Sequence, residues 1–268
     1  MPLTLPSSLS PSKVSTFKDC ALAFRYSAID KLPEPPSVAA VKGTLVHRSL
    51  ELLFGVKPAQ RNASMLAECF DDAARELRDD EEFNALRLDE PAQDHFFADA
   101  SEMSRRYLDL EDPTTFDPIG VELMLTTELR GVTLRGIIDR LDRLPNGDLI
   151  VTDYKTGRVP SVQQEMGRLG GVHFYAMLCE KVLGQRPISV QLMYLGKNPQ
   201  IISTAPTEQS VRGVERKLDA IWQAVERACE REDFRPKPSA LCSWCSFKAF
   251  CPSFGGSVES PNPDHFAI

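Results

Sequence analysis

Apolar and polar residues alternate most regularly between Ile119 and Lys155. Residues 119 to 129 and 132 to 144 read as strands joined at Arg130-Gly131, and a third run, "LIVTDYK", follows Pro145-Asn146-Gly147. The length of that last loop decides which side chains meet. A two-residue Asn146-Gly147 loop would set Asp139 opposite Tyr154 and send Asp139 and Asp153 to opposite faces of the sheet. A three-residue loop, with Pro145 and Asn146 in a type I turn and Gly147 left-handed, pairs Leu144 with Asp148. Proline suits the first turn position, so this second register is expected. It sets Asp139 opposite Asp153, with Lys155 on the same face one pleat away.

Helical periodicity surrounds this meander. Leu66, Phe70, Ala73, Ala74 and Leu77 form one stripe, and Phe96, Ala100, Met103, Tyr107 and Leu110 form another, with Pro91 placed to open that helix. Upstream, "VKGTLVHRSLELLF" predicts a short helix with His47 and Glu51 on one face, beside an apolar stripe of Val46, Leu50, Leu53 and Phe54. Downstream come a helix at about 162 to 183, the strand "ISVQLMYLGK", and an amphipathic helix begun by Thr207 whose inner face carries Val211, Val214, Leu218, Ile221, Trp222 and Val225. The order predicts an α/β fold with a mixed central sheet flanked by helices. One domain is expected over 1–268. It comprises an N-terminal arm (1–58), an acidic helical insertion (59–112), a core (113–204), a helix with a cysteine segment (205–252) and a flexible Gly/Ser/Pro-rich tail (253–268).

Composition narrows the class. With 42% hydrophobic and 26% charged residues in 268, the chain resembles an ordinary soluble globular protein. No apolar run approaches a membrane span, and "MPLTLPSSLSPSK" lacks the basic start and apolar centre of a signal peptide, so a cytoplasmic location without membrane association is expected. The net charge of −7 argues against non-specific coating of nucleic acid but leaves room for a local basic groove. Much of the acid lies between Arg61 and Asp112, as the solvated face of the insertion.

Seven cysteines in such a chain disfavour disulfides. Cys242, Cys245 and Cys251 have C-x2-C-x5-C spacing, and Cys20 lies far upstream. Four thiolates can hold zinc or an iron–sulfur cluster, and the single close pair favours the cluster. Cys69, Cys179 and Cys229 fall on apolar stripes and are expected in the core.

The two facing aspartates repel unless a cation sits between them. Hard divalent ions such as Mg²⁺ take carboxylate oxygens together with water and substrate phosphate, and a lysine beside them can orient water and offset phosphoryl charge. The competing reading makes Asp139 and Asp153 solvent-facing strand residues, with Lys155 as a surface partner. No G-x4-G-K-[ST] loop is present, so this chain carries no ATP-driven motor.

Taken together, "GTLVH" ending at His47, "GIIDR" with Asp139, "DYK" with Asp153 and Lys155, and the split cysteines resemble the RecB-like exonucleases of the PD-(D/E)XK nuclease superfamily. The resemblance is to the branch that holds a [4Fe–4S] cluster, and it runs from "LSPSKVSTFKDCALAFRY" to "LCSWCSFKAFCP". It implies a restriction-endonuclease-like core and Mg²⁺- or Mn²⁺-dependent DNA cleavage from single strands or ends, in repair or recombination. It assigns His47, Asp139 and Asp153 as metal ligands and Lys155 as the catalytic lysine. Cys20, Cys242, Cys245 and Cys251 would hold the cluster. Glu122 and Tyr175 are accessory candidates. Members commonly carry Q-x3-Y on the following helix; here the position four before Tyr175 is Gly171. DNA is the implied partner, with any helicase supplied in trans. Two alternatives are a non-catalytic DNA-binding subunit of a helicase–nuclease complex and a zinc-stabilised interaction module.

Overall fold

The computed structural model describes residues 2–159 and 162–265, with side chains omitted for 162–170. Helices α1 (Pro11–Asp19), α2 (Ala21–Phe24), α3 (Val38–Gly55), α4 (Ala63–Arg78), α5 (Glu81–Ala85) and α6 (Glu90–Arg106) precede strands β1 (Gly120–Leu129), β2 (Val132–Arg143) and β3 (Leu149–Lys155). Then come α7 (Val162–Leu183), β4 (Ser189–Tyr194), β5 (Gln200–Thr204) and α8 (Glu208–Arg231). The sheet order is β1-β2-β3-β4-β5. Strands β2 and β3 are antiparallel, β3 and β4 parallel across the α7 crossover, and β4 and β5 antiparallel, so the sheet is mixed. No described helix is long and apolar enough to cross a membrane.

The turn between β2 and β3 follows its sequence chemistry. Leu144 N–H donates to Asp148 O at 2.8 Å, Gly147 N–H to Leu144 O at 2.8 Å, and Gly147 sits at φ +90°. The ladder then pairs Arg140 with Thr152 and Arg143 with Leu149, the three-residue-loop register. Continued by one residue, it sets Asp139 opposite Asp153.

Two compact units divide the chain. One contains Met1–Pro35, Thr126–Arg135 and Arg212–Ile268; the other contains Pro36–Leu125 and Gly136–Val211. In the second, the apolar stripe of α3 packs with those of α4 and α6 and with Tyr154, Met193 and Leu195 of the sheet layer. The helical starts are capped as their sequences dictate: Ser37 accepts from Ala40 N–H, Asn62 from Met65 N–H, and Asp89 from Ala92 N–H. Arg61, 2% exposed, ties the end of α3 to the approach of β1 through the carbonyls of Val56, Phe54 and Phe116 and the Asp117 carboxylate.

The first unit is held differently. Leu9 exchanges backbone hydrogen bonds with Thr133 and Arg135 of β2, both at 2.9 Å, and Tyr26 OH donates to Phe250 O at 3.0 Å. Cys229 of this unit is buried, as are Cys69 and Cys179 in the other.

Three features differ from the sequence-based expectation. The helix bearing His47 is eighteen residues long rather than short, because Ser37 caps it well upstream of the apolar stripe. Strand β5 has no counterpart among the expected elements: its five residues follow "GKNP", and its apolar members are Ile201 and Ile202, the former 38% exposed at the sheet edge. Residues 253–265, expected as a loose tail, fold into turns. Asn262 N–H donates to Ala249 O at 2.7 Å and its side-chain amide to Phe254 O at 2.7 Å, while Gly256 lies too close to Ala249 O to admit a Cβ. The expected tail residues 266–268 lie outside the described residues.

Candidate metal centre

The site grows out of α3 and the β2–β3 hairpin. Two glycines let its walls approach. A Cβ at Gly43 of α3 would lie 3.3 Å from Thr156 Oγ1, just beyond β3, and one at Gly136 would lie 2.8 Å from Leu178 and 3.2 Å from Tyr175 on α7. Gly136 opens "GIIDR" and Gly43 opens "GTLVH", so each glycine precedes the side chain whose element it seats.

His47, Glu122 and Asp139 each offer a ligand atom, and these atoms all lie within 4.8 Å of one another. His47 Nδ1 is 3.6 Å from Asp139 Oδ2 and 3.8 Å from Glu122 Oε1. Its other nitrogen, Nε2, donates to the Tyr154 carbonyl at 3.1 Å, which fixes the ring and aims Nδ1 at the carboxylates. Glu122 reaches the group from β1 with its backbone at φ +47°, a left-handed conformation that costs a non-glycine residue roughly 1–3 kcal/mol. This strained backbone could not be read from the sequence.

Asp153 stands beside that trio. Lys155 is ion-paired with its Oδ2, but the contact lacks hydrogen-bond geometry, so this buried oxygen has no hydrogen-bond partner. Asp139 Oδ2 accepts from Tyr154 N–H at 2.6 Å. Burial, then the Asp153 charge, push the Asp139 carboxyl up to about 7, with His47 opposing. Burial lowers the His47 pKa, but Glu122 as acceptor for the ring N–H and the charges of Asp139, Glu122 and Asp153 outweigh it, and the net shift is upward. Tyr175 turns toward the same group: burial and the Asp153, Asp139 and Glu122 carboxylates hold its hydroxyl pKa above the usual tyrosine range. Gly171 has open space where a Cβ would project, so no steric demand explains glycine there.

A donor set of one imidazole nitrogen and carboxylates, two of them buried and with the Asp139 pKa pushed up by burial and by Asp153, fits a divalent metal ion. Beside it, a cleft of about 710 Å³ is lined by His47, Glu122, Arg48, Glu51 and Glu76. Arg48 is clamped there by Glu76 and Glu51, each at 2.8 Å.

Sequence reasoning missed what lies on the reverse face of the hairpin. Arg140, 1% exposed, sits between the Phe54 and Phe116 rings. It binds Glu111 with both terminal nitrogens, Asp142 at 3.0 Å, Tyr154 OH at 3.1 Å and Thr152 at 3.3 Å; Tyr107 OH donates to Glu111 at 2.6 Å. This network holds Tyr154, whose backbone amide and carbonyl orient Asp139 and His47. A signal was available: Ile138, Arg140 and Asp142 share one strand face, and two charges on a buried face require partners.

In the other unit, Cys20, Cys242, Cys245 and Cys251 line one cavity of about 320 Å³. All four are free thiols. Burial and the sulfurs of Cys20, Cys242 and Cys251 push the Cys245 pKa up. The four sulfurs share that cavity, but no three of them lie within 4.8 Å of one another, unlike the ligand atoms of His47, Glu122 and Asp139.

The sheet, the α7 crossover and the acidic hairpin define a class, and sequence comparison agrees with it. The chain belongs to the PD-(D/E)XK nuclease superfamily, whose pattern matches residues 8–252. The gene 69 protein of Mycobacterium phage L5 is 30% identical over 137 residues, which cover 50% of this chain and 44% of that protein; the match thus spans less than half of that relative's length. The gene 69 protein of Mycobacterium phage D29 is 22% identical over 271 residues, covering 91% of this chain and 96% of that protein. A crystal structure from Eubacterium rectale, provisionally named an exonuclease, superposes with a TM-score of 0.58 at 14% identity, covering 89% of this chain and 87% of that one, and so shares the fold. Superfamily membership supports a nuclease function.

Proposed function

We propose that the protein is a Mg²⁺- or Mn²⁺-dependent DNA exonuclease that hydrolyses phosphodiesters at single strands or ends, in cytoplasmic DNA repair or recombination. The observation that supports this most is the convergence of His47 Nδ1, Glu122 and Asp139 beside the buried Asp153 and its ion-pair partner Lys155, in a chain of a nuclease superfamily. His47, Asp139, Asp153 and Glu122 would hold the ion, which when bound polarises the scissile phosphate and lowers the pKa of water. Lys155, 40% exposed at its side chain, can turn from Asp153 to the attacking water and to the charge that builds on the phosphoryl oxygens. Tyr154 keeps His47 and Asp139 in register through its backbone. Tyr175, close to the same carboxylates, serves as a positioning group. With no motor on the chain, any processive action draws on hydrolysis or on a helicase in trans.

The four cysteines would carry a [4Fe–4S] cluster with a structural role. Cys20 and Cys242 are separated by most of the chain, and closing so long a loop costs about 4–5 kcal/mol by analogy with disulfides, which metal–thiolate bonding can exceed.

Digestion of end-labelled linear and circular single-stranded DNA with Mn²⁺ or Mg²⁺ tests the reading. Stepwise shortening of the linear strand with the circle intact is expected. Asp153→Ala and Lys155→Ala should each lose at least ~10²-fold in rate with the fold retained. Cleavage of the circle would replace exonuclease with endonuclease action, and unimpaired variants would show that other residues carry the reaction.

A further inference from the structure

Trp244, at 87%, is the most exposed large apolar side chain among the described residues, whereas Trp222 is buried in α8. The indole is held out by a stiff local backbone. Ser239 caps the 3-10 turn Ala240–Trp244, its hydroxyl accepting from Leu241 N–H at 3.2 Å and its own N–H donating to Cys242 Sγ at 3.3 Å. Pro236 and Pro238 restrict the approach to that turn.

A run of three neighbouring lysines begins at the same cavity. Lys237 lines it together with Trp244, and its Nζ donates to the Lys18 carbonyl at 3.0 Å. Lys217 of α8 stands against Lys18; partial burial and then that neighbouring ammonium hold the Lys217 pKa below the ordinary lysine value. No carboxylate is ion-paired with Lys18, Lys217 or Lys237 among the described residues. Asp19, Glu34 and Lys248 line the same cavity as Lys237, while Lys18 and Lys217 adjoin Lys237 outside its lining. Within this unit basic side chains outnumber acidic ones, although the whole chain carries −7.

We propose that Trp244 with Lys18, Lys217 and Lys237 forms a binding platform for single-stranded nucleic acid. One base stacks on the indole and the adjoining phosphates lie against the lysines. An exposed aromatic face beside unpaired cations is the combination that sequence-tolerant single-strand binding uses. A purely apolar partner would leave the like-charged lysines repelling one another, and a duplex offers no free base face. The polymer's identity rests on the nuclease reading; the platform uses none of the residues assigned to hydrolysis.

The test is fluorescence anisotropy of labelled oligo(dT) with the full-length, cluster-bearing protein in EDTA, so that no cleavage intrudes. Iron content and melting temperature are followed in every variant. Trp244→Ala is expected to weaken binding about tenfold or more, and Trp244→Phe to restore most of it. The double variant Lys217→Ala/Lys237→Ala should lower the slope of log affinity against log salt by about 0.7 per lysine. Unchanged affinity in Trp244→Ala would overturn the platform. So would loss of self-association in that variant with oligo(dT) binding intact, which would make a second copy the occupant. If Trp244→Ala loses iron, the lysine variant decides, and an unchanged salt slope overturns the proposal. Wild-type hydrolysis of bis(p-nitrophenyl) phosphate with Mn²⁺ tests the nuclease reading separately, since that substrate has no strand to bind. Hydrolysis without Trp244-dependent binding removes the platform alone; Trp244-dependent binding without hydrolysis removes the nuclease reading alone.

Discussion

In the unit that carries most of the sheet, the candidate ligands sit on adjacent regular elements. Asp139 and Asp153 share a ladder set by a three-residue turn, and His47 is aimed by a carbonyl of that ladder. In the other unit, four thiols come from the α1–α2 junction and from short 3-10 turns, with no strand or long helix to fix them. The oxygen site is therefore preorganised by backbone hydrogen bonding and exists before its cation arrives, stored as carboxylate repulsion and a raised Asp139 pKa. The thiol site rests on short turns tied by a few hydrogen bonds, such as Tyr26 OH to Phe250 O and Asn262 N–H to Ala249 O. A hard ion filling the first should tune an existing structure, while a metal group in the second, as proposed, should add most to its stability.

The sharpest way to break this contrast is to remove a ligand from each unit. Cys20→Ser should lose visible colour and lower stability by up to about 4–5 kcal/mol in chemical denaturation, with DNA cleavage weakened only indirectly. Full iron content at wild-type stability would exclude Cys20 as a ligand. Next in size is Arg140→Met, which leaves the buried Asp142 and the half-buried Glu111 without their cation. A loss of about 3–5 kcal/mol is expected, with weaker Mn²⁺ binding in calorimetry and partial recovery in Arg140→Lys. Wild-type Mn²⁺ affinity in Arg140→Met would show that the oxygen site does not depend on the network behind it.

A smaller effect follows from protonation. The folded-state pKa of Asp139, pushed up to about 7, lies above its unfolded value, and that of His47 is raised as well. Each raised group contributes stability that is complete below its unfolded pKa and lost as pH rises through its folded pKa. In EDTA the melting temperature should therefore decline from about pH 5 to pH 8; Mn²⁺ should offset the decline, and Asp139→Asn should flatten it. A decline of equal slope in Asp139→Asn would assign the titration elsewhere.

The sequence-based reading reached different depths in the two units. Turn chemistry at Pro145-Asn146-Gly147 was enough to choose the register, because proline at the first turn position and glycine at the left-handed one each exclude alternatives. The stripes of α4 and α6 emerged because their apolar spacing matches a helical turn. Glu122 is an accessory candidate through the family resemblance alone, since the left-handed backbone that carries it to the site leaves no local sequence signal. Arg140 was passed over although its place beside Ile138 on a buried face was readable. Strand β5 pairs with the adjacent β4, and the turns of 253–265 bond to Ala249 and Phe254; these partners are near in sequence, but the segments carry too little apolar alternation to announce them.

The most direct measurement is anomalous diffraction from crystals soaked in Mn²⁺. The account predicts one strong peak bonded to His47 Nδ1 and to carboxylate oxygens of Asp139, with Glu122 or Asp153 completing the protein ligands at roughly 2.0–2.2 Å. No peak at these residues, or a peak at the surface carboxylates of α4 and α6 instead, would contradict it.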